Sequence, residues 1–286
     1  MTRESIIPRI NKTKGEPDPM KITTILCLAL ILFAGIIDGM SAAPAPVELV
    51  QVRQDFSSDP GWDNWNNRVV GENCPTVVQD FGWSPTSHFD GKPGEIGGTI
   101  WRSTTPAWYA MPIGKPLSFK DSFSASGRVV VMPGEAHGSF YFGFFNAERP
   151  GWRCWSSLAI CLMQPGNRDC RVDYKTGTGR SYLYDYIGVI QPDGKPHTWA
   201  LSYDPEGVPD PLQMEADGVA DSKGRITFTL DGHVYTAYLL PGHCDEPTAI
   251  NRFGIYNEQV YSGNSEIYFS DLVVNGHKID LSKDPH

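Results

Sequence analysis

The chain has 286 residues, of which 40% are hydrophobic and 20% charged, a composition typical of a folded globular protein. It carries 24 basic and 33 acidic residues, giving a formal net charge of −9, without a cluster of Lys or Arg. Because contacts to phosphate need Lys or Arg, this balance argues against a nucleic-acid partner and against binding to an anionic membrane surface.

The first 43 residues are predicted to be a leader that carries a signal peptide. Met20, the predicted start, and Lys21 open a short basic region, residues 22–37 form an almost unbroken apolar run, and small residues follow up to Ala43. The alternative is a membrane anchor, but the 16 residues of this run fall short of the roughly 20 that span a bilayer. We therefore expect a secreted, periplasmic or cell-surface protein with no membrane span after removal of the leader.

Residues 44–286 are predicted to form a single β-sandwich domain. Short runs of alternating hydrophobicity recur between clusters of Gly, Pro, Asn and Asp, without a long helical period. Besides two runs described below, the predicted strands are 47–56, 99–103, 126–131, 139–145, 156–163, 171–175, 182–187, 233–239, 253–256 and 266–274. About twelve strands exceed one small sheet, so we expect an all-β, two-sheet antiparallel jelly-roll sandwich with its first and last strands side by side.

Residues 57–98 form a long predicted loop that contains the candidate catalytic residues His88 and Glu95. Loops of this length in a compact domain are usually functional or mobile. A carboxyl group among aromatic side chains has its pKa raised toward neutrality, so Glu95 and His88 would serve as acid and base. Arg102 would complete the catalytic set by neutralising a uronate or sulfate, and Tyr109 is a candidate substrate-binding residue. The alternatives are a loop histidine bonded to the backbone and a surface carboxylate in a turn.

A run of alternating phenylalanines around Tyr141 and Gly143 predicts a binding surface. The phenylalanines are expected to face the core, and Tyr141 the opposite side, next to a hollow left by Gly143. Asn146, Trp152 and Arg153 follow the strand, and sugar sites pair a flat aromatic ring with amide and guanidinium groups. The alternative is that Gly143 marks a bulge and the tryptophans only close one end of the sandwich.

Two further runs, residues 194–203 and 224–232, alternate clearly. Trp199 and Tyr203 fall on one face of the first, and the second ends in Asp-Gly, which supplies the positive φ angles of a tight hairpin turn. A tryptophan-bearing strand followed by a strand ending in Asp-Gly resembles the concanavalin A-like lectin and glucanase superfamily, in particular its laminin G-like branch. The resemblance covers about residues 47–280 and implies a jelly-roll sandwich that handles glycans.

A structural calcium ion is implied by the same resemblance, since similar positions to Asp271 hold one in such sandwiches. The alternative for Asp271 is an aspartate that stabilises a turn. The acidic segment 204–223 lacks the spacing of a calcium-binding loop and is interpreted as a solvated excursion. No other cofactor is predicted.

Five cysteines remain after the leader, and their spacing matches no zinc site. Export would permit disulfides, for example between Cys161 and Cys170, or between Cys244 and either Cys74 or Cys154. The odd number leaves at least one thiol unpaired.

The catalytic patterns of the superfamily are absent: the chain has neither the E-x-D-x-x-E run of its glucanases nor the Q-I-H run of its alginate lyases. Three functions stay open, namely a non-catalytic glycan-binding domain, a carbohydrate-active enzyme, and a structural or adhesion domain. A glycoside hydrolase would pair Glu95 with Glu258 or Glu148. A polysaccharide lyase would use His88 or Tyr109 as its base, with Arg102 or Arg153 binding the carboxylate of the uronate. The expected partner is a polysaccharide or glycoconjugate, and the sequence gives no oligomeric state.

Overall fold

The computed structural model describes residues 52–70, 78–89, 91, 93–134, 138–163, 169–184, 188–210, 221–260 and 263–275. The predicted leader, Cys74 and residues 211–220 of the acidic segment lie outside these ranges, so what the sequence predicts for them stays a prediction. Within the described ranges, no helix is long and apolar enough to cross a bilayer.

Strands and turns make up the described part of the chain. In chain order the strands are β1 (Val52–Gln54), β2 (Asp63–Trp65), β3 (Arg68–Val70), β4 (Val78–Ser84), β5 (Glu95–Trp101), β6 (Trp108–Leu117), β7 (Phe123–Val131), β8 (Phe140–Phe145), β9 (Ser157–Met163), β10 (Asp169–Lys175), β11 (Ser181–Tyr184), β12 (His197–Asp204), β13 (Arg225–Leu230), β14 (His233–Tyr238), β15 (Ile250–Asn257) and β16 (Asn264–Val274).

The strands form two antiparallel sheets. One has nine strands in the order β14-β13-β12-β7-β16-β5-β4-β3, with β1 also paired to β16. The other has seven, in the order β11-β10-β9-β8-β15-β6-β2. The first and last strands are neighbours, since Val52 pairs with Val274. The predicted all-β, two-sheet antiparallel sandwich is confirmed.

The core lies between the two sheets and is rich in aromatic rings. Phe140, Phe142 and Phe144 of β8 point into it, as their alternation predicts. Phe142 stacks on Phe269 of the opposite sheet with ring centroids 3.8 Å apart, and it meets Trp199 edge-on at 4.9 Å. Burying each such side chain stabilises the fold by about 1.5–3 kcal/mol, so these contacts hold the sheets together.

The predicted hairpin between β13 and β14 is also present. Asp231 and Gly232 have φ angles of 47° and 82°, the left-handed values that a tight hairpin turn needs. The Asp231 carboxylate accepts a bond from the backbone N–H of Thr198 at 2.8 Å, which ties the turn to the neighbouring strand β12.

The segment 57–98, predicted as one long loop, instead contains β2, β3, β4 and the start of β5. Strands β2 and β3 have three residues each and lie at the edges of their sheets. Asp63, Asn64 and Trp65 of β2 are all exposed, because an edge strand buries little surface, and so this strand lacks the alternation that reveals an inner strand.

The disulfides suggested for the described cysteines are not formed. Cys154, Cys161, Cys170 and Cys244 are all buried, and none is joined to another of the four by a disulfide. In the pairing of β9 with β10, Cys161 lies opposite Arg171 while Cys170 lies opposite Leu162, so the two thiols point to opposite faces of the sheet. Cys244 belongs to the core between the sheets, whereas Cys154 belongs to a cluster outside it.

Candidate functional site

The face of the seven-stranded sheet that points away from the core, here called the outer face, carries two neighbouring rows of side chains. Strand register aligns each row across β10, β9, β8, β15 and β6. One row is polar and aromatic: Arg171, Cys161, Tyr141, Tyr256 and Trp108. The other is made of small residues next to an acid: Asp173, Ala159, Gly143, Gly254 and Ala110.

The glycines of the small row are required by the close approach of the strands. A Cβ added to Gly143, whose φ is 155°, would lie 2.7 Å from the Cα of Ala159. A Cβ added to Gly254 would lie 2.3 Å from the carbonyl oxygen of Tyr109. The prediction of a hollow at Gly143 is therefore wrong, because Ala159 of the neighbouring strand β9 fills that space.

Two tyrosines of the polar row stack against each other. The rings of Tyr141 and Tyr256 are 4.9 Å apart and 8° from parallel, and both are buried. Phe145, Cys154 and Cys161 pack with them in a second apolar cluster, separate from the core between the sheets. The outer face is therefore covered rather than open at this point.

The cover is the loop between β8 and β9, residues 146–156, here called the β8–β9 loop. The loop begins after Phe145, at the end of β8. Trp152, however, contacts Glu258 and Gln259, which follow β15 and lie near the start of β8. The backbone carbonyl of Trp152 accepts a bond from Gln259 N–H at 3.5 Å, and its indole Nε1 donates to Glu258 at 2.7 Å. Trp152 is nevertheless 56% exposed, so its ring lies at the surface while the hydrogen bond to Glu258 fixes its orientation.

Asp173 is a buried carboxylate beneath this loop, only 2% exposed. Its Oδ2 lies 3.1 Å from Nε of Arg153, and the Tyr141 hydroxyl bonds to the same carboxylate. Burial raises the pKa of Asp173 to about 7, although Arg153 and Tyr141 act in the opposite direction. The group thus changes charge near neutral pH, a property found at functional sites as well as in buried ion pairs.

Glu258 is the second buried carboxylate, 3% exposed, and it follows the last residue of β15. Its Oε2 lies 2.9 Å from Nε of Arg102 and accepts a hydrogen bond from the Ser139 hydroxyl. Its other oxygen accepts the Trp152 indole N–H. Every carboxylate oxygen is satisfied, as a buried charge requires.

Tyr141 donates a hydrogen bond to the carboxylate of Asp173. Its pKa lies well above the ordinary tyrosine value, first because the ring is buried, and further because Cys161, Asp173 and Glu258 surround the hydroxyl. The phenol therefore stays protonated and acts as a hydrogen-bond donor.

Cations flank Trp155 at the end of the same loop. The guanidinium of Arg149 lies 4.3 Å from the ring centroid and the ammonium of Lys175 lies 4.8 Å from it. Among the described residues, neither cation takes part in an ion pair. Burial lowers the pKa of Lys175, and the positive charges of Arg153 and Arg149 lower it further. The three basic groups are therefore near one another and form one patch.

His88 and Glu95 contact each other on the nine-stranded sheet. The His88 Nδ1 lies 2.6 Å from Glu95 Oε1, and the His88 backbone N–H donates to Oε2 at 3.0 Å. Thr86 donates a further bond to the carboxylate, and the His88 ring stacks on Tyr268 at 3.9 Å. Tyr268 and Glu95 alternate with the core residues of their strands, so the pair lies on the face of that sheet that points away from the core.

The predicted catalytic set of His88, Glu95 and Arg102 is thus divided. Glu95 begins β5, and Arg102 follows its last residue. Seven residues of extended chain separate them by about 23 Å. Arg102 is paired with Glu258, and the suggested hydrolase pair of Glu95 with Glu258 is not formed because each carboxylate has other partners. Glu148 lies on the β8–β9 loop, where it accepts a bond from Asn251 at 3.3 Å.

Of the predicted substrate-binding residues, Tyr141, Trp152 and Arg153 come together, whereas Tyr109 and Asn146 lie apart from them. The Tyr109 ring belongs to the core between the sheets, and its hydroxyl donates to Asp59 at 3.0 Å. Asn146 is buried, and its side-chain amide donates to the carbonyl of Ala249 at 2.6 Å. It holds the start of the β8–β9 loop in place.

Asp271 does not have the surroundings of a calcium ligand. Its φ is 51°, at a register shift of β16, and its carboxylate binds Nε of Arg128 at 2.7 Å. Within the described part of the chain, no three His, Cys, Asp or Glu side chains lie together as a metal site would need. Calcium takes six to eight oxygen ligands, so the donors that the structure places here do not fit the ion.

Asp173 and Tyr256 belong to the site but were not singled out in the sequence. Asp173 had a detectable signal, because Cys170, Val172 and Tyr174 face inward in β10 and leave Arg171, Asp173 and Lys175 as a charged outer row. A charged row that faces away from the core is usually solvated, but Asp173 is buried and contacts Arg153 of the β8–β9 loop.

The sequence matches no protein-family model and no curated protein sequence. Similar solved structures include the T. cruzi calreticulin globular domain, at 11% identity and a TM-score of 0.47, covering 78% of this chain and 86% of that one. Alginate lyase vAL-1 from Chlorella virus has 10% identity and a TM-score of 0.43, covering 68% and 88%. The Emp47p carbohydrate recognition domain has 14% identity and a TM-score of 0.41, covering 77% and 99%. Identities and TM-scores this low leave the function to the chemistry of the site itself.

Proposed function

We propose that this protein binds an acidic polysaccharide on the outer face of the seven-stranded sheet, at the tip of the β8–β9 loop. The observation that carries the proposal is the exposed, pinned ring of Trp152. Its indole N–H is held by Glu258 at 2.7 Å and the guanidinium of Arg153 lies 5.1 Å from its centroid. A flat ring held in one orientation beside a guanidinium suits a sugar ring and its substituent, since neither group loses much freedom on binding.

The charge of the patch favours an acidic glycan. The chain as a whole is acidic, with a net charge of −9, and so repels polyanions on average. Around the β8–β9 loop, however, Arg149, Arg153 and Lys175 lie near two tryptophan rings. Guanidinium groups bind carboxylate or sulfate in two-pronged fashion, which suits a uronate or a sulfated sugar. Because the chain is predicted to be exported, the expected partner is an extracellular polysaccharide.

Cleavage of the same glycan is the second candidate function. A lyase needs a base to remove a proton beside the uronate carboxyl, an acid for the leaving oxygen, and a cation on the carboxylate. Asp173, Tyr141 and Arg153 have these chemistries, and both Tyr141 and Arg153 contact the Asp173 carboxylate. Tyr141 and Asp173 are buried, so a polymer reaches them only when Trp152 moves aside. The grouping of these three residues, set against a Glu95 that pairs with His88 and a Glu258 that pairs with Arg102, favours a lyase over a hydrolase that uses Glu95.

The proposal is tested by electrophoresis through gels that contain a polyuronate, a sulfated glycan or a neutral glucan. We expect retardation in at least one acidic gel and none in the neutral one, with the retardation reduced by Trp152→Ala. Val234→Ala is the control, because Val234 is 64% exposed but lies on β14, at the edge of the nine-stranded sheet. Equal retardation of Trp152→Ala and wild type would overturn the proposal. Ultraviolet absorbance of an unsaturated product then separates cleavage from binding alone.

A further inference from the structure

A second candidate site lies at the edge of the sandwich, where the two sheets part. Strand β2 ends the seven-stranded sheet and β3 ends the nine-stranded one, and the chain crosses between them at Asn66 and Asn67. Asn66 has a φ of 53°, which asparagine tolerates better than most residues. Beside this crossing is a cavity of about 290 Å³.

The walls of this cavity, here called the edge pocket, are polar. The polar lining residues are Asp59, Asn64, Asn66, Asn67 and Arg68. Asn64 lies between Asp63 and Trp65 in β2, and Asp63 binds Arg252 of the seven-stranded sheet at 2.8 Å. Alternation along the strand therefore turns Asn64 to the other side, toward the pocket. The rings of Trp83 and Tyr109 complete the lining.

The hydrogen bonds around the edge pocket leave oxygen acceptors available. The side-chain amide of Asn66 donates to the carbonyl of Pro106 at 3.1 Å, and that of Asn67 donates to the carbonyl of Phe81 at 2.6 Å. These bonds orient both amides, and no hydrogen bond between described residues uses their Oδ1 atoms. In the part of the chain that the structure describes, Asp59 accepts hydrogen bonds through Oδ1 and not through Oδ2, so Oδ2 is available to a ligand.

The charges of the pocket balance. One carboxylate, Asp59, and one guanidinium, Arg68, line it. Arg68 is anchored by Asp80 at 2.9 Å and by the carbonyl of Trp83 at 2.5 Å. A metal ion would meet the guanidinium and an anion would meet the Asp59 carboxylate, so an uncharged ligand suits the pocket better than either.

We infer that the edge pocket binds one neutral sugar ring, with hydroxyl groups donating to Asp59, Asn66 and Asn67. Ligand pockets of about 300 Å³ are at the small end of the usual range, which suits a single pyranose rather than a chain. Sugar hydroxyls both donate and accept, and so can use the acceptors and the Arg68 donors together. The edge pocket does not share a residue with the outer-face site, and its binding does not depend on the function proposed for that site.

The test is an NMR titration of the full chain with methyl glycosides of glucose, galactose, mannose and xylose, each up to about 50 mM, which saturates a site whose dissociation constant is about 1 mM. For at least one sugar we expect saturable shifts of the side-chain amides of Asn64, Asn66 and Asn67 and of the Trp83 indole. The same shifts are expected in Arg153→Ala, which alters only the outer face.

The variant for the edge pocket is Asn64→Ala combined with Asp59→Asn, since both side chains are exposed and their replacement leaves the core intact. We expect an at least tenfold weaker affinity for the sugar that binds wild type. The control is Asp193→Asn, on the turn before β12, five strands from β3 in the nine-stranded sheet. Absence of shifts with all four sugars, or an affinity unchanged in the double variant, would overturn the inference.

Discussion

The Oδ2 atom of Asp173 lies 3.1 Å from Nε of Arg153, and this pair joins the seven-stranded sheet to the loop that covers it. Asp173 belongs to β10, whereas Arg153 follows the exposed Trp152 on the β8–β9 loop. Any glycan that binds the Arg153 guanidinium competes with a carboxylate whose pKa is about 7. Protonation of Asp173 would therefore release Arg153 toward an anionic ligand.

The first prediction concerns pH and Asp173. Because folding raises its pKa from 3.8 to about 7, the protonated form is favoured in the folded state. The group's contribution to stability is present below pH 4 and is lost as the pH rises to 7, by on the order of 4 kcal/mol. Asp173→Asn should therefore gain stability relative to wild type between pH 5 and pH 8. Urea unfolding of both proteins at the two pH values measures this, and a constant difference would contradict it.

The second prediction concerns the pair of Arg102 and Glu258. Arg102→Ala leaves a buried carboxylate with only Ser139 and Trp152 as partners. We expect a loss of about 3 kcal/mol in the free energy of unfolding, as for other buried pairs broken on one side. Replacing both members, Arg102→Met with Glu258→Leu, should recover part of this loss. A double variant less stable than the single one would show that the pair stabilises the fold in some other way.

The third prediction concerns the glycines of the outer face. Gly254→Ala would place a Cβ 2.3 Å from the carbonyl oxygen of Tyr109. We expect a loss of at least about 2 kcal/mol, because backbone rather than a flexible side chain blocks the new methyl group. Gly114→Ala is the control, since nothing lies within 4 Å of its Cβ position and it should change stability by less than about 0.5 kcal/mol. Thermal unfolding compares them, and equal stability would refute the close packing of these strands.

The fourth prediction concerns Glu95. It lies on the nine-stranded sheet and binds His88 and Thr86, away from the outer face of the other sheet. Glu95→Gln should therefore leave glycan retardation and turnover within about twofold of wild type, while lowering stability by about 1–3 kcal/mol through the altered buried hydrogen bonds. If Glu95→Gln has normal stability but binds the glycan more than tenfold more weakly, the prediction is wrong and the glycan site includes His88 and Glu95.

The inner strands of the fold are predictable from sequence because burial on one face imprints strict alternation. Phe140, Phe142 and Phe144 are an example, and so are Trp199 and Tyr203, which all reach the core. Edge strands β2 and β3 lack this alternation. The ten-residue strand β6 contains two prolines and a glycine, residue types that are uncommon within strands, so its sequence does not indicate a strand. The sequence therefore predicts a loop over residues 57–98 and no strand at Trp108–Leu117.

The candidate site could be predicted only where its residues are neighbours in sequence. Trp152 and Arg153 follow one strand and share one loop, so the sequence already places them together. Asp173 and Glu258 come from β10 and from the end of β15, and only the register of the sheet and the fold of the β8–β9 loop bring them under Trp152. For the same reason the separation of Glu95 from Arg102 became visible only in three dimensions.

The most direct test of the central claim is an NMR titration that follows the indole N–H signals while an acidic oligosaccharide is added, chosen as a fragment of the polymer that retards the protein most. We predict that the signals of Trp152 and Trp155 shift together and saturate, while that of Trp83 stays unchanged. Saturable shifts confined to signals other than Trp152 and Trp155 would contradict the assignment of the outer face as the glycan site.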